Sequence, residues 1–425
     1  MFRPHRIADA RSHLEESPAS CIVYYSLVQS AYSCLTGSFE FPMALRLAGG
    51  PQYVALVYSS YYTLLIAGFF FGSLIGRNGR ASLVFRLELG LLLCLNLGSA
   101  LFFPLMNGVG ALCVYFVVRG TAEGFYWSIR HPSFLWAVKD AGRDDFALRL
   151  QALSVAVSVV FPVIGGAVIS FLPQSKLAAG SALPGGYFWI FLFTAIILAI
   201  GLIASPDFKI GTRPIEMKRI HSLMVLPEAK SYRQYLWFSS VGGVMVALSA
   251  GVITFAVLKT EFRIGALNAA LALLSGIFFL ALRRLLKGKK RARLGGSLCG
   301  AIADCLSRLL YGLSPGPVGL AIKTVLDSFA VPLKSLFGEN VIRAHVERLS
   351  SLSGVSVSEL YIFQEFRLWI GRFSASLVIG LFFALFHAES LPHGGPVVHI
   401  ILALAAPLSI CEFLYLRRFA REDRR

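Results

Sequence analysis

Two pairs of oppositely charged residues stand in stretches of the chain that are otherwise apolar. Arg119 precedes Glu123 by four residues, and Lys323 precedes Asp327 by the same spacing. Residues four apart share a helix face, so each pair can neutralise itself or present both charges to a solute. A charge in the middle of a membrane-spanning helix costs about 2.5–3.5 kcal/mol, which makes such residues candidates for a functional site. Glu40 is a fifth charge of this kind.

Two interpretations of these charges are open. In the first, Arg119 and Lys323 attract an anionic or zwitterionic group of a solute. Glu123, Asp327 or Glu40 then binds a coupling proton, because acidic groups inside a membrane serve proton relays. In the second, each pair is satisfied within its own helix and only holds neighbouring helices together.

The helices that must position these charges are long and apolar. The chain has 425 residues, of which 56% are apolar and 15% are charged, whereas a soluble domain has about 25% charged residues. This composition excludes a disordered chain, a disulfide-rich secreted scaffold and an ordinary soluble enzyme. Runs of about 20 apolar residues predict membrane-spanning helices. The predicted spans are 21–43, 53–76, 83–104, 109–131, 149–172, 187–205, 233–257, 264–284, 294–313, 317–338, 358–387 and 396–416.

The twelve spans predict an all-α membrane protein. With the N-terminus in the cytoplasm, 29 Lys and Arg residues fall in cytoplasmic segments and 4 in external ones. This bias follows the positive-inside rule and places both termini in the cytoplasm. Loops that face anionic lipid headgroups explain the net charge of +17, so nucleic-acid binding is not needed. We expect an integral protein of a bacterial cytoplasmic membrane.

The segment 206–232 is charged, contains two prolines and lacks a long apolar run. It is the predicted central cytoplasmic loop, between an N-terminal six-helix bundle at 21–205 and a C-terminal six-helix bundle at 233–416. Residues 1–20 and 417–425 are the predicted cytoplasmic tails. Paired bundles of this kind are typical of secondary transporters.

The loop after the second predicted span carries a spaced motif of glycines and arginines, namely Gly72, Gly76, Arg77, Gly79 and Arg80. Gly72 lets a neighbouring helix approach closely, and Gly79 permits a turn with positive φ. The two arginines hold the turn on the cytoplasmic side. The motif resembles the loop signature G-x-x-x-[D/G]-[R/K]-x-G-[R/K] of the major facilitator superfamily, in which this loop is a latch between the two halves. Gly76 stands where many members have Asp.

The fourth predicted span extends the resemblance. Arg119, followed by Gly120 and Gly124, is similar to the Arg-x-x-x-x-Gly pattern of that span in the family. In the major facilitator fold, spans 1, 4, 7 and 10 surround a central cavity. The resemblance therefore implies that the five charges described above line this cavity. It also implies that Asp304 and Arg308, on the peripheral ninth span, are structural.

The fifth predicted span contains Pro162, Gly165 and Gly166. They resemble the Gly-Pro-x-x-Gly-Gly end of the signature that the family's antiporters carry in this span. Proline removes a backbone donor and kinks a helix, so a kink is expected here. Phe161 stands where the signature has its first glycine, and the motif therefore leaves symport, antiport and uniport open.

Together with the resemblance, these features indicate a secondary active transporter. It would move a small polar, anionic or zwitterionic solute by alternating access, coupled to a proton or another ion. The chain has no Walker loop, HExxH, GxSxG or nucleotide fingerprint, so no enzyme activity and no cofactor are expected. The spacing of His387, Glu389, His393 and His399 fits no defined metal site, and no metal is expected.

Two alternatives remain. One is a non-transporting membrane sensor, scaffold or lipid-handling protein of the same fold, since one fold hosts many functions. The other is a membrane enzyme, which would need a nucleophile or a paired histidine and carboxylate within the spans.

Overall fold

The computed structural model is helical almost throughout, and its described residues contain no β-strand. It describes residues 18–77, 79–137, 143–172, 183–209, 215–286, 292–334, 338–388 and 395–422. Most of the predicted tail 1–20 and the last three residues of the chain lie outside this description, as do Asn78, Glu389 and His393. We refer to residues 18–209 as the N-terminal part and to residues 215–422 as the C-terminal part.

The helices of the N-terminal part follow the first six predicted spans. They are α1 (Pro18–Tyr32), α2 (Ser38–Ala48), α3 (Pro51–Gly76), α4 (Ala81–Leu101), α5 (Gly108–Ala137), α6 (Arg143–Phe171) and α7 (Gly186–Ile203). A π-helical turn, Ser33–Gly37, joins α1 to α2, so these two helices together form the first predicted span. The largest boundary differences are at the end of α5 and the start of α6, which both extend beyond the apolar runs.

The helices of the C-terminal part follow the last six predicted spans and include two helices that the spans did not contain. They are α8 (Met217–Val225), α9 (Lys230–Leu258), α10 (Glu261–Leu286), α11 (Ala292–Leu313), α12 (Pro317–Leu333), α13 (Glu339–Ser353), α14 (Val357–Leu385) and α15 (Gly395–Glu422). The additional helices α8 and α13 are short and rich in charged residues. Each lies between long helices, in segments that the sequence predicts as cytoplasmic loops.

Eight of the described helices are long and apolar enough to cross a membrane, namely α3, α4, α6, α7, α9, α10, α14 and α15. The other helices on predicted spans depart from that pattern for visible reasons. The π turn divides the first span, and α5 contains the charges of Arg119 and Glu123. Helix α12 is only 17 residues long, and α11 contains Asp304 and Arg308.

The apolar side chains fall into an inner and an outer set. A large buried cluster joins both parts, with Phe39 and Met43 from α2 packed together with Leu248 and Ile253 from α9. The outer faces of the long helices expose many large apolar side chains, among them Ile200. Exposed apolar area of this extent is a liability in water and is expected where helices face lipid.

Helices α3 and α5 pack with their backbones in close contact, because glycines occupy the crossing. A Cβ atom added to Gly124 would lie 2.5 Å from the nitrogen of Phe69, and one added to Gly68 would lie 2.9 Å from the Cα of Thr121. A Cβ on Gly120 would lie 3.3 Å from the nitrogen of Leu65. Small residues allow this approach between membrane helices. The crossing fixes the position of α5, which carries the charges of the candidate site.

Replacement of Gly124 by alanine is expected to destabilise the protein by about 1–3 kcal/mol, because the obstructing atoms belong to the backbone of α3 and cannot rotate away. Gly90 in α4 is the matched control, since a Cβ there meets nothing within 4 Å. Its replacement by alanine should stabilise the helix by about 0.5–1 kcal/mol. Thermal unfolding of the two purified variants in detergent measures both effects. Equal shifts in the two variants would contradict the packing.

The two parts meet along α6 and α10 and along α3 and α14. At the first crossing, a Cβ on Gly166 would lie 2.6 Å from the carbonyl oxygen of Glu261, and one on Gly265 would collide with the carbonyl oxygen of Pro162. A Cβ on Gly165 would lie 2.7 Å from the ring of Phe39. Helix α6 continues through its proline. The motif of the fifth span therefore forms a close helix crossing between the parts.

Candidate functional site

Glu40 and Arg119 form an ion pair inside the N-terminal part. The Arg119 Nε donates to the Glu40 Oε1 at 3.0 Å, and the hydroxyls of Tyr32 and Tyr115 donate to the same oxygen at 2.8 Å and 3.1 Å. The two charged side chains are only 7% and 10% exposed. A buried charge is tolerated when it is paired and hydrogen-bonded, and this carboxylate meets both conditions.

Glu123 holds the other side of the same guanidinium. Its Oε2 lies 2.6 Å from the Arg119 Nη1 and also accepts a hydrogen bond from the Tyr61 hydroxyl. Its Oε1 accepts a hydrogen bond from the Trp127 indole at 3.0 Å. Arg119 therefore bridges two carboxylates from α2 and α5, and each carboxylate also accepts hydrogen bonds from neighbouring side chains.

A central cavity of about 600 Å³ lies between the N-terminal and C-terminal parts. It is lined by polar, charged and aromatic side chains from both parts. They include Glu40, Tyr61, Tyr62, Arg119, Glu123, Trp127, Arg130, His131, Ser240, Gln364, Glu365 and Arg372. The volume is within the range of about 300–1,000 Å³ that small-molecule sites have. The structure thus brings three of the five sequence-predicted charges into one cavity.

The C-terminal wall of the central cavity contributes a further ion pair. Arg372 on α14 donates to Glu365 at 3.3 Å, and its guanidinium lies 5.7 Å from the ring centre of Tyr62 on α3. Cation–π contacts of this kind contribute about 0.5–2 kcal/mol, depending on how far water is excluded. The pair faces Glu123 and Arg119 across the cavity, so charges of both signs line both walls.

Lys323 and Asp327 line a different cavity, which we call the C-terminal cavity and which has a volume of about 470 Å³. The two side chains form an ion pair within α12, and the Ser307 hydroxyl donates to Asp327 at 2.5 Å. The five predicted charges are therefore not gathered in one space. The two cavities are neighbours, because Gly243 and Glu339 are among the residues that line both.

Asp304 and Arg308 also line the C-terminal cavity, although the resemblance implies a peripheral ninth span, and their structural role stays a prediction. The Arg308 Nη2 lies 2.6 Å from Asp304 Oδ2, and Lys334 lies 2.5 Å from the same oxygen. Lys334 also lies 3.0 Å from Glu412 on α15. The spacing of four residues revealed the pair within α11 but not the charges that Lys334 and Glu412 add from two other segments. The cavity holds three acidic and three basic side chains from this network and the pair on α12.

The glycine and arginine loop lies at the end of α3. Gly79 has a φ of +77°, and its nitrogen donates to the carbonyl oxygen of Gly76 at 3.0 Å, which confirms the expected turn. A Cβ on Gly72 would collide with the Ser128 hydroxyl, so this glycine does admit a neighbouring helix. Arg77 and Arg80 are exposed there. A small cleft beside the loop is lined by Gly76 and Arg77 together with residues of the C-terminal part.

Several residues of the site escaped the sequence reasoning. Trp127 donates to Glu123 inside the central cavity, and no motif or charge spacing pointed to it. Glu88 on α4 is 1% exposed, and its Oε1 has no hydrogen-bond partner in the described part of the chain. An acidic residue inside a predicted span was the available signal for Glu88. Arg130 stands at the end of the predicted span 109–131, where a basic residue is common and does not indicate a site.

Contacts between the two parts lie at both ends of the helices that line the central cavity. At one end, which we call the Arg46 end, Arg46 on α2 forms an ion pair of 2.8 Å with Glu261 on α10. At the opposite end, the His131 ring stacks on Tyr361 with 4.8 Å between ring centres. There Arg343 on α13 also lies 4.0 Å from the ring centre of Phe134, and we call this the Arg343 end.

Among the described residues, no group of three or more His, Cys, Asp or Glu side chains is arranged to hold a metal ion. Two members of the histidine and glutamate group near the last loop, Glu389 and His393, lie outside the described residues. His399 lies on α15.

No family model matches this chain, and no curated protein matches it. Solved structures do match it in fold. The fucose:proton symporter FucP of E. coli has a TM-score of 0.62 at 13% identity, with 95% of this chain and 98% of that chain covered. The xylose transporter XylE of E. coli, in a partially occluded inward-open conformation, has 0.63 at 12% identity, with 95% and 98% covered. The human organic anion transporter MFSD10 has 0.62 at 12% identity, with 95% and 99% covered.

Proposed function

We propose that this chain, which has the fold of the major facilitator superfamily transporters, is a secondary active transporter of a small polar solute. The observation that carries the proposal is the charged central cavity between two parts whose outer faces are apolar. Membrane helices retain charges of this kind where they face a substrate path or a proton relay. The structural neighbours are transporters of fucose with a proton, of xylose and of organic anions, which supports a small organic solute.

In this proposal the chain crosses a bacterial cytoplasmic membrane twelve times, in two six-helix bundles at 21–205 and 233–416. The basic loops place the Arg343 end and both tails in the cytoplasm. The central loop 206–232, which contains α8, connects the bundles on that side. Four predicted spans, 21–43, 109–131, 294–313 and 317–338, are not among the eight long apolar helices. In this proposal they are inner helices whose charged side chains face the cavities.

Alternating access is proposed to act through the contacts between the two parts. The ion pair between Arg46 and Glu261 closes the external end, and the stack of His131 on Tyr361 closes the cytoplasmic end. Both contacts join different parts, so either can separate while each part keeps its internal packing. Rocking of two bundles around a midplane site requires contacts that break independently in this way.

The ion pairs supply a physical basis for coupling. Arg119 and Lys323 are proposed to recognise the solute's charged group, and each is held by a carboxylate in the closed cavity. A proton that arrives at Glu123, Asp327 or Glu40 would neutralise that carboxylate and free the basic group for the solute. Binding of the proton and of an anionic group then favour each other, as linkage requires.

The loop of Gly72, Gly76, Arg77, Gly79 and Arg80 is proposed to be the conformational latch. It sits at the end of α3 where residues of both parts line one cleft. A turn fixed by a positive-φ glycine holds the two arginines at that boundary.

The proposal is tested by uptake and efflux of a metabolite panel in sealed vesicles, with and without a pH gradient. Glu123→Gln and Asp327→Asn are compared with the wild type, because each keeps the shape of the side chain and removes its charge. Glu422→Gln is the matched control, since Glu422 lies away from the cavities and pairs with Arg418 near the exposed end of α15. We expect gradient-driven flux of at least one solute, lost in either cavity variant and retained in the control.

Flux that survives in both cavity variants would contradict the coupling role and leave the pairs as helix contacts. Absence of flux for every solute, from protein shown to be folded, would contradict transport. The alternative of a non-transporting sensor, scaffold or lipid-handling protein would then account for the fold.

A further inference from the structure

A second polar cavity lies next to the central cavity and is lined mostly by the N-terminal part, with Phe279, Glu339 and Arg343 added by the C-terminal part. We call it the N-terminal cavity, and its volume is about 340 Å³. Its walls come mainly from α1 and α6, which present hydroxyl and amide groups to it: Ser26, Gln29, Ser30, Ser33, Gln151 and Ser154. The volume is near the lower limit of about 300 Å³ for small-molecule sites, which restricts a ligand to roughly the size of a monosaccharide.

Gln29 lacks a partner in this cavity. The side chain is 7% exposed, and its Oε1 has no hydrogen bond in the described part of the chain. An unsatisfied buried amide oxygen costs about 1–3 kcal/mol. The neighbouring Ser30 hydroxyl donates to the carbonyl oxygen of Ser26 at 2.8 Å and lies 3.4 Å from the Ser154 hydroxyl, so it does not donate to the Gln29 amide. An amide in this position is suited to accept a hydrogen bond from a ligand hydroxyl.

Arg130 lies where the N-terminal cavity meets the central cavity and lines both. Its guanidinium lies 4.9 Å from the ring centre of Trp127, and its Nε is buried without a hydrogen bond in the described residues. Among the described residues, no carboxylate oxygen lies within 4.0 Å of the Arg130 guanidinium. Glu123, on the same wall, is already held by Arg119, Tyr61 and Trp127.

Among the described residues, the other arginines and lysines that line the three cavities all have acidic partners. Carboxylates lie within 4.0 Å of Arg119, Arg308, Lys323, Lys334, Arg343 and Arg372. Arg130 is therefore the exception among the described cavity residues. A guanidinium without a counter-charge inside membrane helices is costly. Its planar fork binds a carboxylate with two parallel hydrogen bonds.

We propose that the N-terminal cavity is an additional binding site for the solute, on the path to the central cavity where Arg119 acts, and that this solute is a polyhydroxylated organic monoanion of the sugar-acid type. Its carboxylate pairs with Arg130, and its hydroxyls bond to Gln29, Gln151 and the serines of α1 and α6. A single uncompensated basic group matches one negative charge, which favours a carboxylate over a phosphate dianion. The inference rests on the proposed function and names the substrate class.

The test is binding to the purified full-length protein by titration calorimetry, with three probes. Gluconate carries both features, glucose lacks the anion, and hexanoate lacks the hydroxyls. We expect gluconate to bind about tenfold to a hundredfold more tightly than glucose or hexanoate, the factor that a hydrogen-bonded charge contributes. Arg130→Gln should abolish the preference for gluconate over glucose. Gln29→Leu should weaken gluconate and glucose together and keep their ratio.

Arg418→Gln is the control, because this arginine is 59% exposed on α15, and it should bind gluconate as the wild type does. Equal affinity for the three probes, or an unchanged preference in Arg130→Gln, would overturn the inference. A flux measurement in vesicles distinguishes failure of this inference from failure of the proposed transport function. Flux of another solute with no binding of gluconate overturns only the substrate class, whereas selective gluconate binding without flux of any solute overturns only transport.

Discussion

Replacement of Arg119 by methionine is expected to lower the free energy of unfolding by about 3–5 kcal/mol, the largest stability loss of any single substitution considered for this chain. Arg119 is the shared partner of Glu40 and Glu123, and all three side chains are at least four-fifths buried. Its removal leaves two carboxylates in an apolar interior without a counter-charge. Methionine keeps most of the length of the side chain, so the loss reports the charge and not a cavity.

Thermal unfolding in detergent measures this loss of stability. Two further variants serve as comparisons, one at an exposed arginine and one in which the buried carboxylates are also removed. Arg418→Met removes an exposed partner of Glu422 and should change stability by less than about 1 kcal/mol. The triple variant Arg119→Met with Glu40→Gln and Glu123→Gln should recover much of the loss, because no uncompensated charge remains. A single Arg119→Met variant that unfolds like the wild type would show that the carboxylates do not depend on this guanidinium.

Reversal of the charge at the Arg46 end is expected to open that end of the molecule. Glu261 is nearly buried and accepts hydrogen bonds from Arg46 at 2.8 Å and 3.3 Å and from the Tyr187 hydroxyl at 3.3 Å. In Arg46→Glu two carboxylates would face each other at the contact between α2 and α10. Repulsion of like charges in a poorly hydrated contact is several times larger than in water.

The opening is measured as the distance between spin labels at Tyr53→Cys on α3 and Phe386→Cys next to α14, in a background without the seven native cysteines. Both positions are exposed and lie in different parts of the chain. We expect Arg46→Glu to lengthen the distance and the double reversal Arg46→Glu with Glu261→Arg to restore it. Unchanged distances in Arg46→Glu would contradict a gate at this ion pair.

The sequence was a good guide to features that are local in the chain. The loop motif predicted both the fold and the positive φ of Gly79. Few backbone conformations close a short turn, and glycine is the residue that readily adopts the positive φ that this turn needs. The apolar runs located the long helices, because a helix that faces lipid must be apolar over its length. The charge spacing identified the ion pairs within α5 and α12, because residues four apart in a helix lie on the same face.

Features that depend on packing between distant segments were not predictable from spacing. The pairing of Glu40 with Arg119 joins positions 79 residues apart, and no periodicity encodes it. Asp304 was assigned to the periphery because the resemblance supplies the position of a helix but not the direction of a side chain. Arg130 shows a further limit, since its importance comes from the partners it lacks, and only three-dimensional contacts reveal those.

The π-helical turn between α1 and α2 has a mechanical consequence. A wide turn interrupts the regular hydrogen-bond ladder and is a common place for a helix to bend. On one side of it stands Gln29, in the wall of the N-terminal cavity, and on the other stands Arg46, in the contact with Glu261. If the ion pair between Arg46 and Glu261 separates, we expect α2 to change its angle to α1 at this turn, because the hydrogen-bond ladder is already interrupted there.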